Sequence, residues 1–241
     1  MTPVSHPTPT AELVRHASQR LVRTVDSLTE DAWAGPSLLP RWSVAHVVAH
    51  LTLNADGLAG ALVGVVEREP VTMYRSQEDR DADIEKLSAA SPGELRDRAM
   101  ASVTRLAAAI AAVPAELAGA TIERTPGSGR TFTAGAVGWM RLREVEIHHA
   151  DLGPQVAAYS PADWPQEFTE RLLEGTARRW QGPGFTAEAT DLGRVWTFGT
   201  PGPVVTGSAH DLAWWATGRP AYPGSPGPVS DDGALPRTEA L

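Results

Sequence analysis

The sequence predicts an α+β protein in which a four-helix bundle is followed by a smaller α/β domain. Two observations predict this architecture. Apolar residues recur with the helical period of about 3.6 residues over long stretches of the first half. Beyond position 153 the pattern changes to short runs of strand type, separated by Gly, Pro and Asp. We therefore expect a helical domain over residues 1–155 and a small α+β domain with an irregular tail over residues 156–241.

The first two long helices are predicted from apolar stripes and one cap. Residues 11–29 place apolar side chains near one stripe of a helix. Ser43 precedes a long apolar segment and can cap it, because its hydroxyl can accept a hydrogen bond from a backbone N–H of the first turn. The polar stretch 73–86 is predicted to be a loop that enters a short helix.

The third and fourth long helices carry clearer end signals. Ser91 and Glu94 have the spacing of a capping box, and Pro92 occupies the first helical position. The fourth helix is predicted over residues 133–151, and Gly153 ends it. Four long helices with short or moderate connections predict an antiparallel four-helix bundle.

The second domain is predicted from shorter elements. Residues 160–180 form a capped helix, and residues 208–218 form a last helix. Between them lie runs of strand type at residues 185–190, 194–198 and 203–207. The tail from Pro220 is rich in Pro, Gly and Ser and is expected to be irregular.

The composition limits the partners of this chain. A formal net charge of −8 argues against general nucleic-acid binding, which needs a basic surface. Hydrophobic residues make up 42%, and no apolar run is expected to approach the length that crosses a membrane. The N-terminus lacks the basic and apolar pattern of a signal peptide. We expect a cytoplasmic monomer that acts on small molecules and binds neither nucleic acid nor membranes.

The sequence contains no cysteine. Disulfides, thiolate metal sites and a cysteine nucleophile are therefore excluded. Any metal must be held by His, Asp or Glu, and any thiol chemistry must take its sulfur from another molecule.

Two pairs of side chains have the spacing of one helical turn. His46 and His50 are four residues apart on the second long helix, and so are Glu144 and His148 on the fourth. One histidine of the second helix and the pair of the fourth could supply three ligands in the bundle core. Such a set, with one open position, is typical of a catalytic site for zinc or a similar divalent ion. The alternative, and the commoner role of a single pair, is a polar feature of the helix surface or core.

Four segments together resemble a known enzyme family. They are "WSVAHVVAHLTLNADGL", "MYRSQEDRDADI", "WMRLREVEIHHADLG" and "VVTGSAHDLAWWATGR". In these segments the chain resembles the mycothiol-dependent maleylpyruvate isomerases. These enzymes belong to the DinB-like bundle superfamily and carry a smaller C-terminal α/β domain. The resemblance runs across nearly the whole chain.

The resemblance implies a site and a reaction. By motif, the zinc ligands of the family match His50, Glu144 and His148, and its essential C-terminal arginine matches Arg219, which we expect to be catalytic and to bind substrate. The expected cofactors are Zn²⁺, or a similar divalent metal, and mycothiol as the thiol cosubstrate. The expected reaction is the cis–trans isomerisation of maleylpyruvate to fumarylpyruvate by reversible thiolate addition.

Other polar residues near these motifs are candidates with open roles. Arg80 and its neighbour Tyr74 could bind a substrate carboxylate, although a surface salt bridge is an equal alternative for Arg80. Polar packing, or orientation of the ligand imidazoles, remains open for His46, His149 and Asp151. For Glu146 the open alternatives are a position facing solvent and a role in tuning the pocket.

Two alternative functions remain open at this point. A mycothiol S-transferase of the same superfamily would keep the metal and thiol site but change the residues that bind carboxylates. A non-catalytic metal-binding regulatory module would have little need for a pocket closed by a second domain. The presence of Arg219 favours the isomerase over the transferase.

Overall fold

The protein is described here by a computed structural model that covers residues 9–69 and 71–238. By its internal contacts the chain divides into two compact units, Met1–Leu152 and Gly153–Leu241. The first unit is mainly helical, and the second combines helices with a mixed sheet. This confirms the predicted α+β class.

The first unit is built on long helices that pack side by side. Its helices are α1 (Pro9–Ser27), α2 (Glu30–Ala34), α3 (Val44–Glu67), α4 (Gln77–Ser88), α5 (Pro92–Ala112) and α6 (Val137–Asp151). Helices α1 and α3 each pack against both α5 and α6, which forms the predicted four-helix bundle. The shorter helix α4 lies along α3.

Serine side chains cap the helices where the sequence predicts them. Ser43 accepts a hydrogen bond from the backbone N–H of His46 at the start of α3. Ser91 does the same for Glu94 at the start of α5, with a proline in its first turn. Ser76 caps α4 in the same way. These bonds satisfy backbone donors that have no partner within the helix.

A short β-hairpin, which the sequence analysis missed, lies between α5 and α6. Strands β1 (Thr121–Glu123) and β2 (Thr131–Thr133) pair in antiparallel fashion. Three-residue strands are too short to show a clear alternation of apolar and polar residues. Because Thr133 is paired in β2, helix α6 begins later than predicted, after a 3-10 turn over Ala134–Ala136.

Helix α3 corrects one expectation about apolar segments. By length and composition alone it is apolar enough to cross a membrane. However, 72% of its most apolar window is buried inside the protein. Because neighbouring helices cover it on several sides, its apolar composition is that of the core helix of a bundle.

The second unit places helices beside a four-stranded mixed sheet. Its elements are α7 (Gln166–Arg179), β3 (Phe185–Ala189), β4 (Arg194–Phe198), β5 (Val204–Gly207), α8 (Ala209–Trp215) and β6 (Val229–Ser230). The strand order is β4-β3-β5-β6, with β3 antiparallel to β4 and parallel to β5. In this register Ala187 lies opposite Trp196 on one side and Val205 on the other.

Two details of this unit differ from the prediction. Residues Pro161–Asp163 form a 3-10 turn, and α7 begins only after Pro165. Helical backbone angles are disfavoured for the residue that precedes a proline, which here is Trp164. The tail is not wholly irregular, since β6 pairs with β5 in antiparallel fashion.

Candidate metal centre

Three side chains from two helices converge in the bundle. His50 comes from α3, whereas Glu144 and His148 stand one turn apart on α6. Their potential ligand atoms all lie within 4.8 Å of one another. Nε2 of His50 is 2.8 Å from Oε2 of Glu144, and Nε2 of His148 is 3.6 Å from the same oxygen. The packing of α3 against α6 thus brings together residues that are far apart in sequence.

The surroundings of these side chains favour the forms that bind a metal. Burial lowers the pKa of His50 to about 4, so its imidazole is neutral at neutral pH. Burial alone would raise the pKa of Glu144, but the hydrogen bond with His50 and nearby positive charge hold it well below its usual range. A neutral imidazole and an ionised carboxylate are the states in which both groups act as ligands.

Asp151 orients the imidazole of His148 through a hydrogen bond. Its fully buried carboxylate accepts a hydrogen bond from Nδ1 of His148 at 2.8 Å. When Nδ1 carries the proton, the lone pair of Nε2 points toward the cluster. Histidine ligands of metals are commonly oriented by a carboxylate in this way.

Three other polar residues of α3 and α6 make contacts outside the cluster. Nδ1 of His46 lies 2.7 Å from Oγ of Ser43, so this histidine belongs to the cap of α3. Glu146 is fully buried and accepts a hydrogen bond from Arg20 of α1 at 2.6 Å. His149 likewise contacts α1, with Nε2 at 2.8 Å from the hydroxyl of Thr24. These residues join helices and are not part of the cluster.

Arg80, predicted as a substrate-binding candidate, contacts His50, and Tyr74, the other candidate, lies beside Arg80. Nη2 of Arg80 is 3.1 Å from Nδ1 of His50. Its guanidinium carbon stands 5.8 Å from the centre of the Tyr74 ring. Arg80 also pairs with Asp81 at 2.7 Å, so a salt bridge is present as well.

Arg219 lies in the second unit, just after α8. Nη1 donates to the hydroxyl of Thr217 at 3.0 Å, and the guanidinium carbon stands 5.1 Å from the ring centre of Trp214. The side chain is half-buried. These contacts fix its position within its own unit.

Two further arginines near the cluster were missed by the sequence analysis. Arg141 is 1% exposed and donates to the carbonyl of Leu51 and to Oδ1 of Asn54 at 2.8 and 2.9 Å. Burial lowers its pKa to about 10, which still leaves it charged at neutral pH. Arg141 precedes Glu144 by about one turn of α6, and this spacing could have identified it. Arg124 follows β1, and no local spacing connects it to this region.

The donor set of the cluster fits a divalent ion. Two imidazole nitrogens and one carboxylate oxygen suit zinc and similar metals, and three protein ligands leave a coordination position open for another molecule. An open position of this kind is typical of catalytic sites. The arrangement can therefore hold a metal that acts on a bound ligand.

Family models match both units of the chain. The model described as "Mycothiol maleylpyruvate isomerase N-terminal domain" matches residues 14–153. The model described as "MDMPI C-terminal domain" matches residues 163–240. A comparison with curated proteins finds no match.

Solved structures agree with the family models. A crystal structure of the mycothiol-dependent maleylpyruvate isomerase is 27% identical with a TM-score of 0.85, covering 96% of this chain and 95% of that chain. A crystal structure of a histidine-to-alanine mutant of the mycothiol-dependent maleylpyruvate isomerase has a TM-score of 0.84 at the same identity and coverage. The chain therefore belongs to the mycothiol maleylpyruvate isomerase family.

Proposed function

We propose that this chain is a metal- and mycothiol-dependent isomerase that converts maleylpyruvate into fumarylpyruvate. The observation that carries the proposal is the convergence of His50, Glu144 and His148. The family match and the similarity of both units to mycothiol-dependent maleylpyruvate isomerases support it. Its test is the conversion of maleylpyruvate by purified protein supplied with zinc and mycothiol. Absence of conversion under these conditions would refute it.

The reaction needs a nucleophile that adds and then leaves. The thiolate of mycothiol would form a C–S bond at the alkene carbon β to the ketone, and the π electrons would move through the α carbon to the ketone oxygen, which gives an enolate. The former double bond is now single and rotates. The enolate then collapses, the C–S bond breaks, and the trans double bond and the thiolate are restored. Because the thiol is regenerated in every cycle, mycothiol acts as a catalyst.

His50, Glu144 and His148 would hold the metal, with the imidazole of His148 oriented by Asp151. When bound, the metal supplies a Lewis acid that favours ionisation of a thiol, whose pKa near 8.5 otherwise leaves it mostly protonated. The chain contributes no thiol of its own, since it has no cysteine. A thiol nucleophile must therefore come from another molecule, and we assign this role to mycothiol.

Arginine side chains would bind the anionic ends of the substrate. Maleylpyruvate carries two carboxylates, and an enolate develops during thiolate addition. Guanidinium groups bind carboxylates through two parallel hydrogen bonds. We assign this role to Arg219 and to Arg80, with Tyr74 beside Arg80.

Substitution of Asp151 by Asn tests how the metal ligands are oriented. The neutral amide keeps the size of the side chain but weakens the hydrogen bond from His148. We expect zinc affinity to fall about 10- to 100-fold, as is usual when the partner of a ligand is lost. Zinc competition with a chelator measures it. As a control, Thr24→Ala removes a hydroxyl that contacts His149 and should leave the affinity unchanged. Wild-type affinity in Asp151→Asn would contradict the role.

Substitution of Arg219 by Lys tests the substrate-binding arginine. Lysine keeps the charge but lacks the planar set of N–H donors that binds both oxygens of a carboxylate. We therefore expect kcat/KM to fall roughly ten- to a hundredfold, with zinc content unchanged. As a control in the same unit, Arg194→Lys affects contacts with Glu170, Glu174 and the ring of Trp196, and it should leave kcat/KM unchanged. If Arg219 serves only its contacts with Thr217 and Trp214, kcat/KM will not change.

A further inference from the structure

We propose that Arg124 and Arg80 form a carboxylate subsite around Tyr74, beside the metal centre, which binds one carboxylate of the substrate. This inference rests on the proposed function and adds Arg124 to it as a specificity-determining residue. The ligand class is a dicarboxylate, and the subsite takes one of its two ends.

The fold holds Tyr74 in place from two directions. The backbone N–H groups of Met73 and Tyr74 donate to the carbonyls of Glu123 and Arg124 at 3.1 and 2.9 Å. The segment before α4 is thereby attached to the end of β1. On the other side lies Gly57 of α3, where a Cβ atom would stand 2.8 Å from the carbonyl oxygen of Met73 and 3.3 Å from Cε1 of Tyr74. Glycine at this position lets the segment lie directly on the helix.

The guanidinium groups of two arginines lie near the ring of Tyr74. The guanidinium carbons of Arg124 and Arg80 stand 5.3 and 5.8 Å from the centre of the Tyr74 ring. A third guanidinium, that of Arg141, is buried within electrostatic reach of Tyr74 and Glu144. Both guanidinium groups are positively charged, so a carboxylate bound beside Tyr74 would be attracted by each of them. Glu144 supplies negative charge near Tyr74, but it is engaged with His50 in the metal cluster. Two guanidinium groups at one ring, in a chain with a net charge of −8, therefore indicate an anionic ligand.

The charge of Arg124 is available to such a ligand. Within residues 9–69 and 71–238, Arg124 makes no ion pair with a carboxylate. Arg80 pairs with Asp81, whose side chain is 59% exposed, and the water around this carboxylate weakens the pair enough for a ligand to replace it. Arg124 therefore offers a planar pair of N–H donors to a carboxylate, and Arg80 can add the Nη1 donor that now pairs with Asp81.

The subsite adjoins the metal centre through Arg80. This residue contacts both His50, at 3.1 Å, and the Tyr74 ring. A carboxylate held between Arg80 and Arg124 therefore lies next to the cluster, where the double bond must meet the thiolate. Binding one end of the substrate here positions the reacting carbons, which is the usual function of an arginine clamp.

The test compares Arg124→Gln with Arg130→Gln in the zinc-loaded protein. Both variants remove one positive charge from the same hairpin region, but Arg130 is exposed, and the structure shows no contact of its side chain with Tyr74. In Arg124→Gln we expect the KM for maleylpyruvate to rise about tenfold or more, while the KM for mycothiol and the zinc content stay unchanged. Arg124→Lys should recover part of the loss. Arg130→Gln should behave as wild type.

A binding measurement separates this subsite from the proposed reaction. Pimelate, a saturated dicarboxylate of similar length, cannot add a thiol, and calorimetry gives its Kd without any turnover. We expect Arg124→Gln to weaken pimelate binding by about tenfold and Arg130→Gln to leave it unchanged. Unchanged pimelate affinity and unchanged KM in folded Arg124→Gln would overturn the subsite. If wild-type protein binds pimelate through Arg124 but never isomerises maleylpyruvate, the proposed reaction fails and the subsite stands.

Discussion

Replacing His50 by alanine should abolish isomerisation and remove most of the bound metal while the bundle stays folded. We expect the wild-type protein to contain about one divalent ion per chain. His50 is the ligand that α3 contributes, and without it only Glu144 and His148 remain, one turn apart on α6. The loss in affinity should exceed the roughly 10- to 100-fold that follows from losing the partner of a ligand. Zinc analysis, turnover with mycothiol and far-ultraviolet circular dichroism measure the three outcomes.

His46→Ala is the matched control for this variant. His46 stands one turn earlier on the same helix and contacts Ser43 and Glu85. Its loss removes a hydrogen bond of the α3 cap and should cost about 0.5–1.5 kcal/mol of stability, with metal and activity retained. Full metal occupancy in His50→Ala, or an equal loss of metal in His46→Ala, would show that the cluster is not the metal site.

Metal-loaded protein without mycothiol should leave maleylpyruvate unchanged beyond the uncatalysed rate. The physical reason is that the chain has no cysteine, so no thiolate is present until one is supplied. Adding mycothiol should restore turnover in a saturable manner. Mycothiol methylated on sulfur is the control, because it can occupy the site but cannot add to the double bond. Rapid turnover without any thiol would instead show that another nucleophile operates.

Local signals explain which elements could be predicted from sequence. Ser43 and Ser91 mark the starts of α3 and α5, because a helix cap depends on residues within one turn. The short strands β1 and β2 carry no such signal, and they shift the start of α6 to Val137. The hairpin forms because its strands pair across a glycine-containing turn, an interaction that hydrophobic periodicity does not reveal.

The candidate site also combines residues that a local spacing predicts with contacts between residues far apart in sequence. Glu144 and His148 share a helix face by spacing alone, but their meeting with His50 depends on how α3 packs against α6. The family resemblance supplied that third member. Arg124 could not be found in this way, because it reaches Tyr74 only through the backbone bonds between the segment before α4 and the end of β1.

The fate of mycothiol during turnover tests the central claim most directly. Wild-type, zinc-loaded protein is mixed with maleylpyruvate and substoichiometric mycothiol, and both are followed by proton NMR. An isomerase regenerates its thiol, so we predict complete conversion to fumarylpyruvate, with all of the mycothiol still free at the end. A mycothiol S-transferase would instead consume one thiol for each substrate and stop when the thiol is exhausted. Accumulation of a stable thioether adduct in place of the trans product would contradict the assignment.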